Sequence, residues 1–190
     1  MTRLVVGLGN PGPTYAHNRH NVGFMVCDRL VRGFGGWREK FNGVWTRGDI
    51  AGQDTIVLKP MTFMNRSGTS VGAAASFFKV APAEVIVIHD ELDIAFGQVR
   101  VKAGGGHAGH NGLRSIFEHF GKDFIRIRCG IGRPTFGDVA AWVLSDFKGD
   151  EKIALDQFLG EAEVAVEQVL RDGPETTMNR VNQKKARNQA

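Results

Sequence analysis

With 190 residues, 42% of them apolar and 23% charged, the chain has the length and composition of one globular domain with a core of its own. No apolar run approaches the ~18 residues that a membrane span requires, and the N-terminal residues lack the apolar stretch of a signal peptide. A formal net charge of +4 points mildly to a polyanionic partner.

Residues 4–8 are continuously apolar, as expected for a central strand covered on both faces. They lead into Gly7-Leu8-Gly9-Asn10-Pro11-Gly12, which matches G-x-G-x-x-G. The dinucleotide fingerprint needs its last glycine to open a helix, and an acid ~20 residues on at the end of a second strand. Here Pro11 and Pro13 bracket Gly12 and predict an extended, rigid loop, with a helix beginning only near His20 or Asn21. Asp28 has roughly the required spacing but falls inside the helical pattern of residues 21–32. The loop therefore reads as part of a site at the carboxyl end of a central strand, not as a nucleotide cradle.

Further along, residues 55–58 are a strand candidate, 65–79 a helix, and 85–88 a second continuously apolar strand. Residues 98–102 and 124–129 alternate instead. Their spacing predicts strands with one face in the core and one basic, wet face that carries Arg100, Lys102, Arg126 and Arg128. Leu113, Ile116, Phe117 and Phe120 recur at helical spacing, as do Leu155, Phe158, Ala162, Val166 and Val169, up to the terminator Asp172-Gly173-Pro174. Cys27 and Cys129 lie among apolar neighbours outside any C-x-x-C pair, so buried thiols and a reducing, cytoplasmic setting are expected. The expected architecture is α/β: a single domain over 1–180 with a twisted, mixed, mostly parallel sheet covered by helices on both faces. A basic tail over 181–190, rich in cations and free of acids, is expected to be poorly ordered.

The opening loop and the stretches 58–68, 85–93 and 102–116 end or begin elements so as to meet at one rim. They supply Asn10, His20, Asn65, Asp90, His110 and Asn111. Each has a plainer reading. Asn10 could start a turn, Asn65 and Asn111 could be N-caps, His20 could be a structural histidine, and Asp90 could merely face water. Several amides, an imidazole and a carboxylate on loops at one sheet edge nevertheless suit chemistry. One imidazole can take a proton from water near neutrality, a carboxylate on its other nitrogen fixes the tautomer, and amides can serve a developing oxyanion. No G-x-S-x-G nucleophile elbow occurs, which favours direct attack by water over an acyl-enzyme. A competing metal account would use His107-x-x-His110 with Asp90 and Glu91.

The stretches VGLGNPGPTYAHNRHNVGF, LKPMTFMNRSG, HDELDI, GGGHAGHNGLRSI and RIRCGIGRP together resemble the bacterial peptidyl-tRNA hydrolases, from residue 4 to MNRVN near the C-terminus. Cys129 stands where that family usually has an aliphatic residue. The resemblance implies a cytoplasmic, monomeric hydrolase without metal or cofactor, which cleaves the ester between a peptide and the 3′ ribose of tRNA. It implies His20 as the base that activates water, Asp90 as the acid that holds it, and Asn10 as the residue that distinguishes N-blocked peptides from free aminoacyl groups. By the same resemblance Asn65 and Asn111 position substrate, with Asn111 a candidate to assist the water or oxyanion. Tyr15, Phe63, Met64 and His110 line the cleft, and Lys102 and Arg128 clamp a tRNA phosphate. The rival class is a non-catalytic RNA-binding domain, for which these strands offer Phe124 as their one aromatic.

Overall fold

The computed structural model describes residues 1–183. Its strands are β1 (Arg3–Gly7), β2 (Arg38–Lys40), β3 (Gly43–Ile50), β4 (Gln53–Pro60), β5 (Val85–Glu91), β6 (Val99–Ala103) and β7 (Ile125–Gly130). Its helices are α1 (Val22–Leu30), α2 (Ser67–Phe78), α3 (Asn111–His119), α4 (Val139–Val143), α5 (Asp150–Asp172) and α6 (Pro174–Val181). The strands make one sheet in the order β2-β3-β4-β1-β5-β7-β6. Its centre is parallel, β1 pairing with β4 and β5, and β5 with β7. Both margins are antiparallel.

Period-two alternation sends the side chains of the central strands to two cores. Val5, Ile86, Ile88 and Ile127 pack with α1 and α5 through Val26, Phe158, Val166 and Val169. Leu4, Val6, Val85 and Val87 pack on the other face with α2 and α3 through Val71, Ala74, Leu113 and Ile116. Helices thus cover both faces, as the apolar runs require. Cys27 and Cys129 are both free and buried.

The glycines of the opening stretch serve packing. A Cβ on Gly7 would drive into the Gly23 carbonyl, and one on Gly9 would come to 2.8 Å from the Phe24 ring. Both glycines let α1 lie directly on the end of β1. Gly12 has φ +98° and opens no helix; the chain turns through residues 13–17 before a 3₁₀ turn at Arg19–Asn21 leads into α1.

Three regions depart from the sequence expectation. The hairpin β2–β3 was not anticipated; it reverses through Phe41 (φ 60°) and Asn42 (φ 51°), with the Phe41 ring held among Trp45, Phe77 and Phe78. Gly173-Pro174 ends α5 but also begins α6, because proline suits the first helical position. Packing continues past residue 180. The Asn182 amide bonds the Val101 N–H and C=O, both at 3.0 Å, and covers the open edge of β6. Residues 184–190 of the expected basic tail lie outside the described residues.

Candidate active site

Beyond the carboxyl ends of β1, β4 and β5 lies a cleft of about 500 Å³. Asn10, His20, Met64, Asn65, Asp90, His110 and Asn111 all border it. The site residues expected from the four stretches therefore converge on one concavity. Its far wall is α4 with Val139, Ala140, Val143 and Leu144, which the sequence reading left unassigned.

His20 Nδ1 lies 2.8 Å from Asp90 Oδ2. A carboxylate only accepts, so Nδ1 carries the proton, and Nε2, without a partner among the described residues, keeps a lone pair at the cleft. His110 approaches Asp90 from the other side, Nε2 to Oδ1 at 2.8 Å. Its Nδ1 accepts the Gly112 and Leu113 backbone N–H groups and so caps α3. Asp90 is 3% exposed and does not face water; it is clamped between two imidazoles. Burial works to raise its pKa, but the two histidines, through charge and hydrogen bonds, hold the carboxyl far below its ordinary 3.8. Burial likewise works to lower the pKa of His20, but the charge and hydrogen bond of Asp90 outweigh it and leave the imidazole above its ordinary 6.5. His89 is no competing base. Its Nδ1 donates to the Asp90 carbonyl, and burial, with His110 nearby, pushes its pKa down to about 3.

Asn10 is fixed by three bonds. Its N–H donates to Asn21 Oδ1 and its carbonyl accepts from Asn21 Nδ2, each at 2.9 Å, while its Oδ1 accepts the Met64 N–H at 2.7 Å. With Oδ1 committed to a backbone donor, the amide orientation is settled and Nδ2 is left to donate. Asn10 is thus no mere turn residue, and Asn21, its anchor, was missed by sequence reasoning. Asn65 and Asn111 are exposed and are not the N-caps they could have been: His110 caps α3, and α2 follows Arg66 without a side-chain cap. Phe63 is 58% exposed, with Tyr15 edge-on at 6.5 Å between ring centroids. His110 borders the cleft, but both its ring nitrogens are occupied, so only its ring can meet a substrate.

Arg19 was also missed. Its guanidinium is buried, lies 3.6 Å from the Trp142 ring centroid, and bonds Ser145 Oγ and Glu151 Oε1. Asn18 bonds Asp146 at 2.8 Å. The turn before His20 is thereby fastened to the segment that carries the far wall.

On β6 and β7 the four cations do form cross-strand pairs, Arg100 opposite Arg128 and Lys102 opposite Arg126. The expected wet face needs one correction. Arg126 is 3% exposed, because the glycine-rich loop folds over it and the Gly105 and Gly106 carbonyls accept its guanidinium. Arg128 is paired with Glu91 Oε1 at 2.8 Å.

The metal quartet read from the sequence does not converge. His107 Nδ1 accepts the Gly109 N–H, its ring packs on Phe117, and Glu91 is held by Arg128. Ligand atoms of His20, Asp90 and His110 do lie within 4.8 Å of one another. That trio does not suit a cation: a metal on His110 Nε2 would move its proton to Nδ1, where two backbone N–H groups already point.

The α/β sheet thus gathers a carboxylate-held imidazole and oriented amides at its carboxyl rim, groups that suit a hydrolase. The chain belongs to the peptidyl-tRNA hydrolase family, whose family model matches residues 4–189. It is 56% identical over 182 residues to the peptidyl-tRNA hydrolase of Sorangium cellulosum, covering 93% of this chain and 82% of that one. It is 50% identical over 185 residues to the Geotalea uraniireducens protein, covering 96% and 97%. The crystal structure of peptidyl-tRNA hydrolase from Acinetobacter baumannii superposes with a TM-score of 0.88 at 41% identity, over 96% of this chain and 95% of that one.

Proposed function

We propose that this chain hydrolyses the ester between a peptide and the 3′ ribose of tRNA, with His20 as the base. The observation that carries the reading is the 2.8 Å bond from His20 Nδ1 to a buried Asp90, which leaves Nε2 free at the cleft beside the Asn10 amide donor. Water on Nε2 loses its proton as it attacks the ester carbonyl, and Asp90 stabilises the imidazolium that forms. Asn10 Nδ2 and the exposed amide of Asn111 are donors for the substrate carbonyl or oxyanion, Asn65 positions the peptide, and Tyr15, Phe63 and Met64 support the terminal residue and nucleotide. Base assistance is typically worth ~10²–10⁴ in rate and an oxyanion donor ~10²–10³, enough for an activated ester. Lys102 and Arg128 take a tRNA phosphate. The enzyme acts as a cytoplasmic monomer and needs no metal. A purely binding module would have no use for a buried carboxylate that orients an imidazole.

The test is release of peptide from N-acetyl-aminoacyl-tRNA by the purified chain without added cofactor. Activity is expected in the presence of chelator and is expected to fall by at least ~10²-fold in His20→Ala with tRNA affinity retained. Normal turnover by that variant rules out the general-base role.

A further inference from the structure

Arg19 stands next to the base in the chain, yet its side chain serves the opposite wall of the cleft. Its guanidinium is buried, 3.6 Å from the Trp142 ring centroid and 5.7 Å from that of Phe147. Nη1 donates to Ser145 Oγ, and Nη2 donates to Glu151 Oε1 at 2.6 Å. The backbone joins in. The Arg19 N–H donates to the Ser145 carbonyl at 3.0 Å, and Asn18 pairs with Asp146 as an antiparallel bridge. The proposed mechanism uses none of these contacts.

The helix α4 cannot hold the far wall in place by itself. Five residues do not form a stable helix alone in water, and all five residues of α4 are exposed or half-buried. Val139, Ala140, Val143 and the following Leu144 recur at i, i+1, i+4 and i+5, which puts them on one face, and that face borders the cleft. Trp142 leaves from another side. Its ring lies on the Arg19 guanidinium, its Nε1 donates to the Gly132 carbonyl at 2.9 Å, and its carbonyl accepts from Ser145 Oγ at 2.6 Å. The wall is thus registered against the turn that carries His20 chiefly through one stacked cation. Arginine suits this task, because a planar guanidinium can stack by its face while donating in its plane to two acceptors; lysine keeps the charge but cannot do both.

His20 and the α4 wall border the same cleft, so the spacing between turn and wall sets the width left for an ester. A misplacement of about 1 Å can cost ~10² in rate when reacting groups must be aligned.

We propose that Arg19 is a positioning residue for the hydrolysis: by stacking on Trp142 and bonding Ser145 and Glu151 it fixes the α4 wall at the distance from His20 that presses the ester carbonyl towards Nε2. The proposal rests on the hydrolase reading above.

Arg19→Ala is expected to lower kcat/KM by ~10²-fold. The loss should be equal on N-acetyl-aminoacyl-tRNA and on a minimal nucleotide ester, because the wall borders the base and not the cations of β6 and β7. The midpoint of the acidic limb of kcat/KM should not fall. Burial lowers the pKa of His20 and Asp90 raises it, and an opened wall relieves only the first. A covalent fastening then replaces the lost one. Asn18 and Asp146 form a non-hydrogen-bonded antiparallel pair, a geometry whose Cα atoms stand about 4.5 Å apart, within disulfide range. Asn18→Cys with Asp146→Cys, added to Arg19→Ala, is expected to recover about tenfold in kcat/KM when oxidised and to lose it on reduction. Should Arg19→Ala fail to fold, the same two cysteines in Arg19→Lys make the same comparison. Unaltered kcat/KM in a folded Arg19 variant, or a disulfide that restores thermal stability but not kcat/KM, overturns the proposal, since Arg19 then serves the fold alone. A lowered midpoint assigns Arg19 to the His20–Asp90 bond, and a loss confined to the tRNA-linked substrate assigns the wall to RNA; either overturns it too. All of these leave the hydrolase reading intact, whereas no hydrolysis of N-acetyl-aminoacyl-tRNA by the unaltered enzyme sinks that reading itself.

Discussion

His20 and Asp90 are 70 positions apart in the chain and share one hydrogen bond, and the pH behaviour of the protein follows from that bond. Burial alone would make the imidazole a weaker base than free histidine; the carboxylate reverses the sign. The acidic limb of kcat/KM, which reports the free enzyme, should therefore have its midpoint above pH 6.5. In Asp90→Asn only burial remains, so that midpoint should move below 6.5 while the rate falls by ~10²–10⁴. A pH–rate profile of both proteins checks this, and an unmoved midpoint contradicts it. The same pair links pH to stability. His20, raised in the folded state, contributes stability that is complete below about pH 6.5 and is lost as pH rises through its folded pKa. Asp90, lowered, contributes stability above about pH 3.8 that is lost as pH falls towards its folded pKa.

Among elements, α1 decides where His20 stands, and a glycine decides where α1 stands. A Cβ on Gly23 would run into the backbone of Leu8 and the Ile88 carbonyl, the seam where β1 meets β5. Gly160 in α5 offers the contrast: its Cβ would meet only the end of the Arg29 side chain, at 3.3 Å. Alanine improves helix propensity equally at both, so space alone separates them. Gly23→Ala is expected to destabilise by ~3 kcal/mol, a fall of roughly 6–12 °C in Tm, whereas Gly160→Ala should be neutral or stabilise by up to ~1 kcal/mol. Thermal unfolding of the two variants tests this, and equal Tm shifts would contradict the close-approach account. Much at this scale was legible in the sequence. Continuous apolar runs can be satisfied only by central strands, so β1 and β5 announced themselves, and the prolines beside Gly12 excluded a helix there. The β2–β3 hairpin did not, because β3 is buried at Gly43, Thr46 and Ile50 and half-buried or exposed between them, which is neither period two nor a continuous run. Arg126 was misread because strand alternation gives a side chain's face but not what later folds over it. Arg19 was invisible for a related reason: its partners lie 123–132 positions away and nothing local marks a buried guanidinium.

Charge acts at the scale of the whole molecule, where net +4 says less than the distribution of partners. Of the four cations paired across β6 and β7, Arg126 is spent on the glycine-rich loop and Arg128 on Glu91. Arg100 and Lys102 form no ion pair among the described residues. Lys102 is exposed, and a Cβ on Gly105 would come to 2.8 Å from its Nζ, so its ammonium lies along the loop that leads back to His110. A phosphate held there would be gripped by charge without base readout. Lys102→Ala should therefore raise KM for a tRNA-linked substrate about tenfold and leave a minimal nucleotide ester unaffected. The dependence of log KM on log salt should flatten by about 0.7–0.9, the value for one lost phosphate contact. Glu91→Gln makes the opposite prediction. It releases the Arg128 guanidinium from its carboxylate, so tRNA-linked KM should fall and the salt dependence should steepen. KM measured across a salt series for the three proteins decides the matter: parallel salt lines, or equal changes on the minimal ester, would remove these two strands from the RNA-binding surface.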